Sequence, residues 1–471
     1  MSAEELIAQT PETAVAEQAP ATPSVAELAE HLSKQDMPAF GSTLRNVLET
    51  TADEKSSLLK IAQIVLRDPM LTANVLRQAN SAHYMRNGMR VATVTRAVVV
   101  LGANAIKSMC AAALMLQTME QGAVHEKRIE QVLAKGLHAA MQARDLALKK
   151  HNSNEYAEKQ FVEALLSVIG ELAFWRHGDP YAQHVHDLVE QGVPQDVAER
   201  KVMGFTLEDL NHQLLQSWNL TTHPSVEVQF ALKLSRATQN GWDTTEAREA
   251  LREISKSLHK PEKEVLAMLQ KNAKAAQSLV LSQGFRSIAN SLPAEEAAEA
   301  EAEAVLPLYP EPDATAQLQT LQEMLKVSRH KSDATQLLNI AMEGLTRAVG
   351  MDRVIFSLLS KDRSQFHARL SMGPGSDELY GRFNFANSSY FEKKLKDLGC
   401  VWFKDGDEQP HEVKVAGRSN SCLLGPLVVD GRLIGFFYAD RRPSGRALDA
   451  SLFSSFQLFI DQCSTLFGML R

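Results

Sequence analysis

The chain has little of several things, and each shortage excludes something. Four cysteines, Cys110, Cys400, Cys422 and Cys463, are scattered through 471 residues without a Cys-x-x-Cys pair. A disulfide framework and a clustered zinc site are therefore not expected. No run approaches the about 20 apolar residues that a membrane span needs. The opening "MSAEELIAQTPETAVAEQAP" has neither a basic start nor a long apolar core, so no signal peptide is read. The expected location is the cytoplasm, with no membrane partner. Lys and Arg number 50 against 57 Asp and Glu, a net charge of −7. No basic stripe emerges, which argues against nucleic acid as a partner. Aromatic residues make up only 6% of the chain, and Ala and Leu are abundant. That balance favours helix over sheet.

Two stretches lack Lys and Arg altogether, and they divide the chain. Residues 1–33 are rich in Ala, Glu, Thr and Pro, which reads as a mostly disordered acidic tail over 1–35. Its ordered candidate is "PSVAELAEHL", where Ser24 and Glu27 have capping-box spacing. The second stretch runs from Ser287 to Leu325 and contains "PAEEAAEAEAEAVLPLYPEPDATA". It reads as a charged linker over 291–317. The length suits two folded blocks, expected at 36–290 and 318–471.

The first block reads as all-helical. "DEKSSLLKIAQIVLRDP" spaces Leu58, Ile61, Ile64 and Val65 at helical intervals. Asp68 is placed to cap the next helix, with Pro69 at its first position. "TVTRAVVVLGANAIKSMCAAALML" predicts a short helix, Gly102 as a turn, and a longer apolar helix; "EALLSVIGELAF" reads as one helical run. The second block changes period. "DRVIFSLLSKDRSQFHARLSMG" and "SCLLGPLVVDGRLIGFFYADR" each read strand, turn, strand, and Asp430-Gly431 is a hairpin signal. Helices bracket them, which predicts an α+β domain.

The stretch "LRDPMLTANVLRQANSAHY", followed by "RAVVVLGANAIKSM", resembles the HD-related output domain, HDOD. Asp68, Pro69, Leu71, Thr72, Asn80, Ser81, Ala97, Leu101 and Gly102 carry the match, over about residues 36–235. The resemblance implies a helical bundle akin to HD phosphohydrolases, found in bacterial signalling proteins. Such enzymes hold metals with a histidine, an adjacent His-Asp pair and a further aspartate. By that resemblance Ser167 and Val168 stand where the His-Asp pair would be, Lys135 where the first histidine would be, and Leu207 where another often lies. A neutral hydroxyl, an aliphatic chain and a cation cannot replace those donors. The expectation is a fold kept, a catalyst lost, and neither metal nor cofactor bound. Residues 318–471 resemble a GAF domain, through "GMDRVIFSLL" and the hairpin from Gly425 to Asp440. That resemblance implies a small-molecule or nucleotide effector, or dimerisation.

Several residues admit two readings. His177, His184 and His186 suggest a metal, but His184 and His186, two apart, do not share a helix face. Glu171 is either an isolated acid or a solvated helix-end carboxylate. Asn80 and Ser81 mark either a functional surface or a local cap. In "YGRFNFANSSYFEKKLKDLG", Phe383 and Phe385 alternate as a strand would, and Ser388 or Ser389 is placed to cap a helix. Those four are a candidate ligand pocket or an ordinary core with an ordinary cap. Arg441, Arg442 and Arg446 form a basic cluster, facing an anionic partner or solvent. The apolar helix "FSSFQLFIDQCSTLFGML" is core or the seam of a homodimer. Together these predict a multidomain, non-enzymatic bacterial signalling protein: an all-α bundle acting on other signalling proteins, then an α+β sensor or dimeriser. The alternative is a residual metal-dependent nucleotide phosphodiesterase.

Overall fold

A computed structural model describes residues 22–35, 41–52, 58–81, 90–119, 125–218, 220, 224–239, 241–282, 292–293, 309–329 and 334–470. The expected tail before residue 22 and the Ala/Glu run at 294–308 lie outside the described residues.

The helical block begins with α1 (Val25–Ser33), α2 (Gly41–Ala52), α3 (Leu58–Val65), α4 (Pro69–Ala79), α5 (Val94–Leu101) and α6 (Ala103–Met119). It continues with α7 (Glu126–His151), α8 (Asn154–Leu166), α9 (Ile169–His177), α10 (Tyr181–Glu190) and α11 (Gln195–Met203). α12 (Leu207–Ser217), α13 (Val226–Ala237), α14 (Thr245–Leu258) and α15 (Glu262–Ser282) complete it. The Ser24–Glu27 capping box forms, and α1 buries Leu28, Ala29 and Leu32 against α12. Among the described residues no single helix is long and apolar enough to cross a membrane.

The family-motif residues build local structure. Asp68 Oδ1 accepts from Leu71 N at 2.9 Å, while Pro69 opens α4 without needing a donor of its own. Asn80 ends α4, and its amide imitates a strand. Its Nδ2 donates to Leu76 O and Val91 O, both at 2.9 Å, while Oδ1 accepts from Val91 N at 2.8 Å. Ser81 follows, partly buried. Leu101 is buried at the end of α5, and Gly102 turns the chain into α6 with φ of +78°.

The run "EALLSVIGELAF" is two helices, correcting the single helix its apolar letters suggested. α8 ends at Leu166, and Ser167 and Val168 form the break before α9. Ser167 Oγ donates back to Ala164 O at 2.6 Å, the kind of side-chain bond that competes with helix continuation.

The second block opens with α16 (Ala314–Arg329), whose first turn is capped by Asp313 Oδ1 accepting from Thr315 N and Ala316 N. Helix thus starts inside the span read as linker. α17 (Ala334–Glu343) runs into a π-helical turn at Gly344–Ala348. Six strands follow: β1 (Arg353–Leu359), β2 (Gln365–Met372), β3 (Phe385–Ala386), β4 (Val401–Phe403), β5 (Cys422–Val429) and β6 (Arg432–Asp440). α18 (His411–Gly417) lies between β4 and β5, and α19 (Ala450–Met469) ends the domain. The order is β3-β2-β1-β6-β5-β4, with every pairing antiparallel. Asp430 and Gly431, both at positive φ, make the β5–β6 hairpin turn. The two-residue period sends Val354 and Phe356 toward the bracketing helices and Ile355 to the opposite face.

The candidate pocket around Phe383 is filled. Phe383 precedes β3 rather than lying in it, is fully buried, and packs on Tyr438 with ring centroids 4.6 Å apart. Phe385 joins the same cluster through Phe366, Phe391 and Phe436. The expected cap is not made: Ser389 precedes a π-helical turn at Tyr390–Leu395 without a side-chain capping bond, and Ser388 contributes its carbonyl to Phe391 N. Ser389 already has right-handed helical backbone, with φ of −58° and ψ of −23°, rather than the extended conformation from which a capping side chain reaches the next turn.

Candidate functional site

Two places combine polar side chains in ways that packing alone does not demand. The first is the cleft around Lys135, Ser167, Val168 and Leu207, the positions that the resemblance set against metal ligands. Lys135 on α7 extends its Nζ to 3.7 Å from Glu171 Oε1 on α9. Glu171 is not a solvated carboxylate: it is mostly buried and also receives Gln195 Nε2 at 3.2 Å. Val168 is buried, and a methyl group on Gly136 would meet its Cγ2 at 2.7 Å, so α7 and the α8–α9 break close tightly there. Leu207 is buried too, and its backbone N donates to Glu199 Oε2 at 2.9 Å.

A cavity of about 540 Å³ adjoins these residues, bordered by Ser167, Glu171, Leu207, Asn211, His212 and Arg236. Asn211 is spent on structure, its Oδ1 accepting from Gly170 N at 2.7 Å. His138, one turn from Lys135, is fully buried, its Nε2 lying 2.9 Å from Gln142 Nε2. Burial pushes its pKa down to about 4, so the ring is neutral at physiological pH. Among the described residues no group of three His, Cys, Asp or Glu side chains converges as metal ligands would. His125 and His186 do meet, with ring centroids 5.4 Å apart, and His125 Nε2 lies 3.3 Å from Asp179 Oδ1. His184 is instead tied to the carbonyl of Pro180, the residue just before its own helix.

The second place is the junction of the two blocks, where α5 and α8 of the helical bundle face α16, α17 and the π-helical turn. Arg96 reaches from α5 to Glu343 at 2.9 Å and to Glu323 at 2.5 Å. Arg347 reaches back from the turn to Glu158 of α8 at 2.5 Å, and to Glu343 at 3.6 Å. Glu158 is fully buried, and its other oxygen accepts from Thr95 N at 2.9 Å. Val99 of α5 completes the seal by packing within the sheet domain's own core.

Two guanidiniums here share four carboxylates, because Glu155 also lies in their field. Burial alone would lower the pKa of Arg96, but Glu343 and Glu323 outweigh it and raise it. The acids carry the imbalance. Burial raises Glu323 to about 7 against the pull of Arg96, helped by Glu343 and Glu155; burial likewise raises Glu155. Sequence reasoning missed this cluster. Its members stand far apart in the chain, Arg96 and Glu343 by 247 residues, and each alone resembles a surface charge.

The family model for the HDOD domain matches residues 37–231. No curated protein matches the chain. Among solved structures it is similar to a virulence factor from Campylobacter jejuni subsp. jejuni, at 16% identity over 57% of this chain and 94% of that one, TM-score 0.37. It is also similar to the MmoQ response regulator of Methylococcus capsulatus, at 19% identity over 54% and 99%, TM-score 0.33. A third is the GAF domain of an Acinetobacter phosphoenolpyruvate-protein phosphotransferase, at 16% identity over 33% and 93%, TM-score 0.24. Residues 37–231 of this chain are an HDOD domain, and a six-stranded antiparallel sheet domain follows it.

Proposed function

We propose that this is a non-catalytic cytoplasmic regulator of bacterial signalling. In it the HDOD domain binds other signalling proteins, and the GAF-like domain governs that binding as a sensor or dimeriser. The buried ionic junction carries this reading. A flexible tether transmits little, whereas Arg347–Glu158 and Arg96–Glu343 oblige one domain to respond to a shift in the other. The Lys135–Glu171 pair supports the absence of catalysis, because an ammonium group occupies the surroundings of the lost ligands. Leu318 and Leu325 on α16 and Leu458 on α19 expose apolar surface on two helices in contact, which supports a homodimer seam on the GAF-like side.

Arg347→Gln tests the coupling. It leaves Glu158 buried without its counter-charge, which costs about 3 kcal/mol at the junction. Hydrogen exchange should then quicken in α5 and α8 of the HDOD domain as well as in α16. Faster exchange confined to the GAF-like domain would refute the coupling. Separately, the intact chain with Mn²⁺ should leave bis(p-nitrophenyl) phosphate unhydrolysed; turnover lost on Glu171→Gln would favour the phosphodiesterase reading instead.

A further inference from the structure

The loops at one end of the GAF-like sheet bring together arginines that the fold does not use up. Arg418 follows α18 in the left-handed conformation, with φ of +50°, and the chain then passes through Ser419, Asn420 and Ser421 into β5. Arg441 and Arg442 follow β6, and Gly445 to Leu448 close the far side. These segments enclose a cavity of about 510 Å³ with an open mouth. That volume lies within the usual range for small-ligand sites.

The charges around it are unevenly matched. Asp440 is committed to Arg353, which it meets at 2.6 and 2.9 Å, and to Tyr438 and the backbone N of Arg442. Asp352 is committed to Arg446 at 2.7 Å and to Ser444 N at 2.8 Å. Arg441 is left with carbonyls alone. It is 7% exposed, its Nε donates to Gly350 O at 2.8 Å and its Nη1 to Ala447 O at 3.3 Å. Its Nη2 is buried beside Gly350 and finds no acceptor among the described residues. Burial, then the neighbouring Arg446, lowers its pKa against the weaker pull of Glu311, Asp352 and Asp449, none of which pairs with it directly among the described residues. Arg418 and Arg442 are exposed at the mouth and form no ion pair among the described residues.

We infer that this cavity is an anion site for a small phosphorylated molecule, with Arg418 and Arg442 gripping the phosphoryl oxygens above a floor made by Arg441. Planar guanidinium forks suit tetrahedral oxyanions, and three incompletely matched cations call for more charge than one carboxylate brings. Ser419, Asn420 and Ser421 supply neutral polar lining, and among the described residues no aromatic ring borders the cavity. A nucleobase would find nothing to stack on, so the ligand is phosphorylated but not aromatic. The site lies away from the aromatic cluster of Phe383 and Phe385.

The full chain should be titrated calorimetrically with pyrophosphate, glycerol 3-phosphate, inorganic phosphate, ATP and citrate at constant ionic strength. Saturable binding of pyrophosphate or glycerol 3-phosphate is expected with a dissociation constant of about 1 mM or tighter. Arg418→Gln and Arg442→Gln, both at exposed positions, should each weaken it about tenfold, some 1.4 kcal/mol. ATP should gain nothing over pyrophosphate from its base. Three results would overturn the assignment: no saturable phosphate binding, binding indifferent to both substitutions, or citrate binding more tightly than every phosphate. Because the readout is binding alone, failure here leaves the coupling tested by Arg347→Gln untouched, and the reverse also holds.

Discussion

Asn80 shows how a residue that marks a family can be structural. Its buried amide makes three hydrogen bonds, two of which tie the end of α4 to Val91 across the intervening segment. Asn80→Ala should therefore cost about 2 kcal/mol, since it strands the backbone donor and acceptor of Val91, while Leu76 O keeps the backbone N–H of residue 80. Urea unfolding measures this directly; unchanged stability would return Asn80 to the surface reading. Asp68 and Pro69 were legible for the same reason, because caps act within a few residues and leave their pattern in the local letters. Phe383, Phe385, Ser388 and Ser389 were not. Alternating aromatics look alike whether they line a pocket or fill it, and only Tyr438, Phe366 and Phe436 arriving from distant strands decide which.

Among the elements, α9 is set by one close approach. A Cβ on Gly170 would fall 2.5 Å from Asn211 Cα on α12, in backbone that has no rotamer to swing aside. Helix propensity predicts that Gly170→Ala stabilises by up to about 1 kcal/mol. The packing predicts the opposite, a loss of about 2 kcal/mol as α9 and α12 are forced apart. Thermal denaturation separates the two by sign. Element types were mostly readable from period: helical spacing gave α3 to α6, and two-residue alternation gave β1, β2, β5 and β6. The break at Ser167–Val168 was not, because every residue from Ala164 to Leu172 except Ser167, Gly170 and Glu171 is apolar and no Pro marks a stop. The helix ends where Ser167 bonds back to its own turn and Val168 drops onto Gly136.

For the whole molecule, the excess of carboxylates at the junction makes its strength depend on pH. Glu323 holds its proton to about 7 in the folded chain, against an ordinary value of 4.5. Its contribution is therefore fully present below about 4.5 and is lost as pH rises through about 7. Opening of the junction, followed by hydrogen exchange in α16 after correction for intrinsic rates, should increase from pH 6 to pH 8. Glu323→Gln, which stays neutral, should flatten that rise; an unaltered slope would place the titrating group elsewhere. None of this was visible in the sequence, where Glu323 is one acid in a helix and Arg96 one base in another.

The last strand's exit loop has a practical consequence for anyone who cuts the chain. Arg446 donates to Pro310 O at 2.9 Å, and Asp313 N to Ala348 O at 2.8 Å, so residues 309–313 are fastened to the sheet domain. A fragment begun at residue 318 would start inside α16 without Asp313 to cap it, and would bare Glu323, Glu343 and the core around Val99's seat. Expression of the C-terminal half should begin no later than Tyr309, and even then Arg347 enters solution without Glu158.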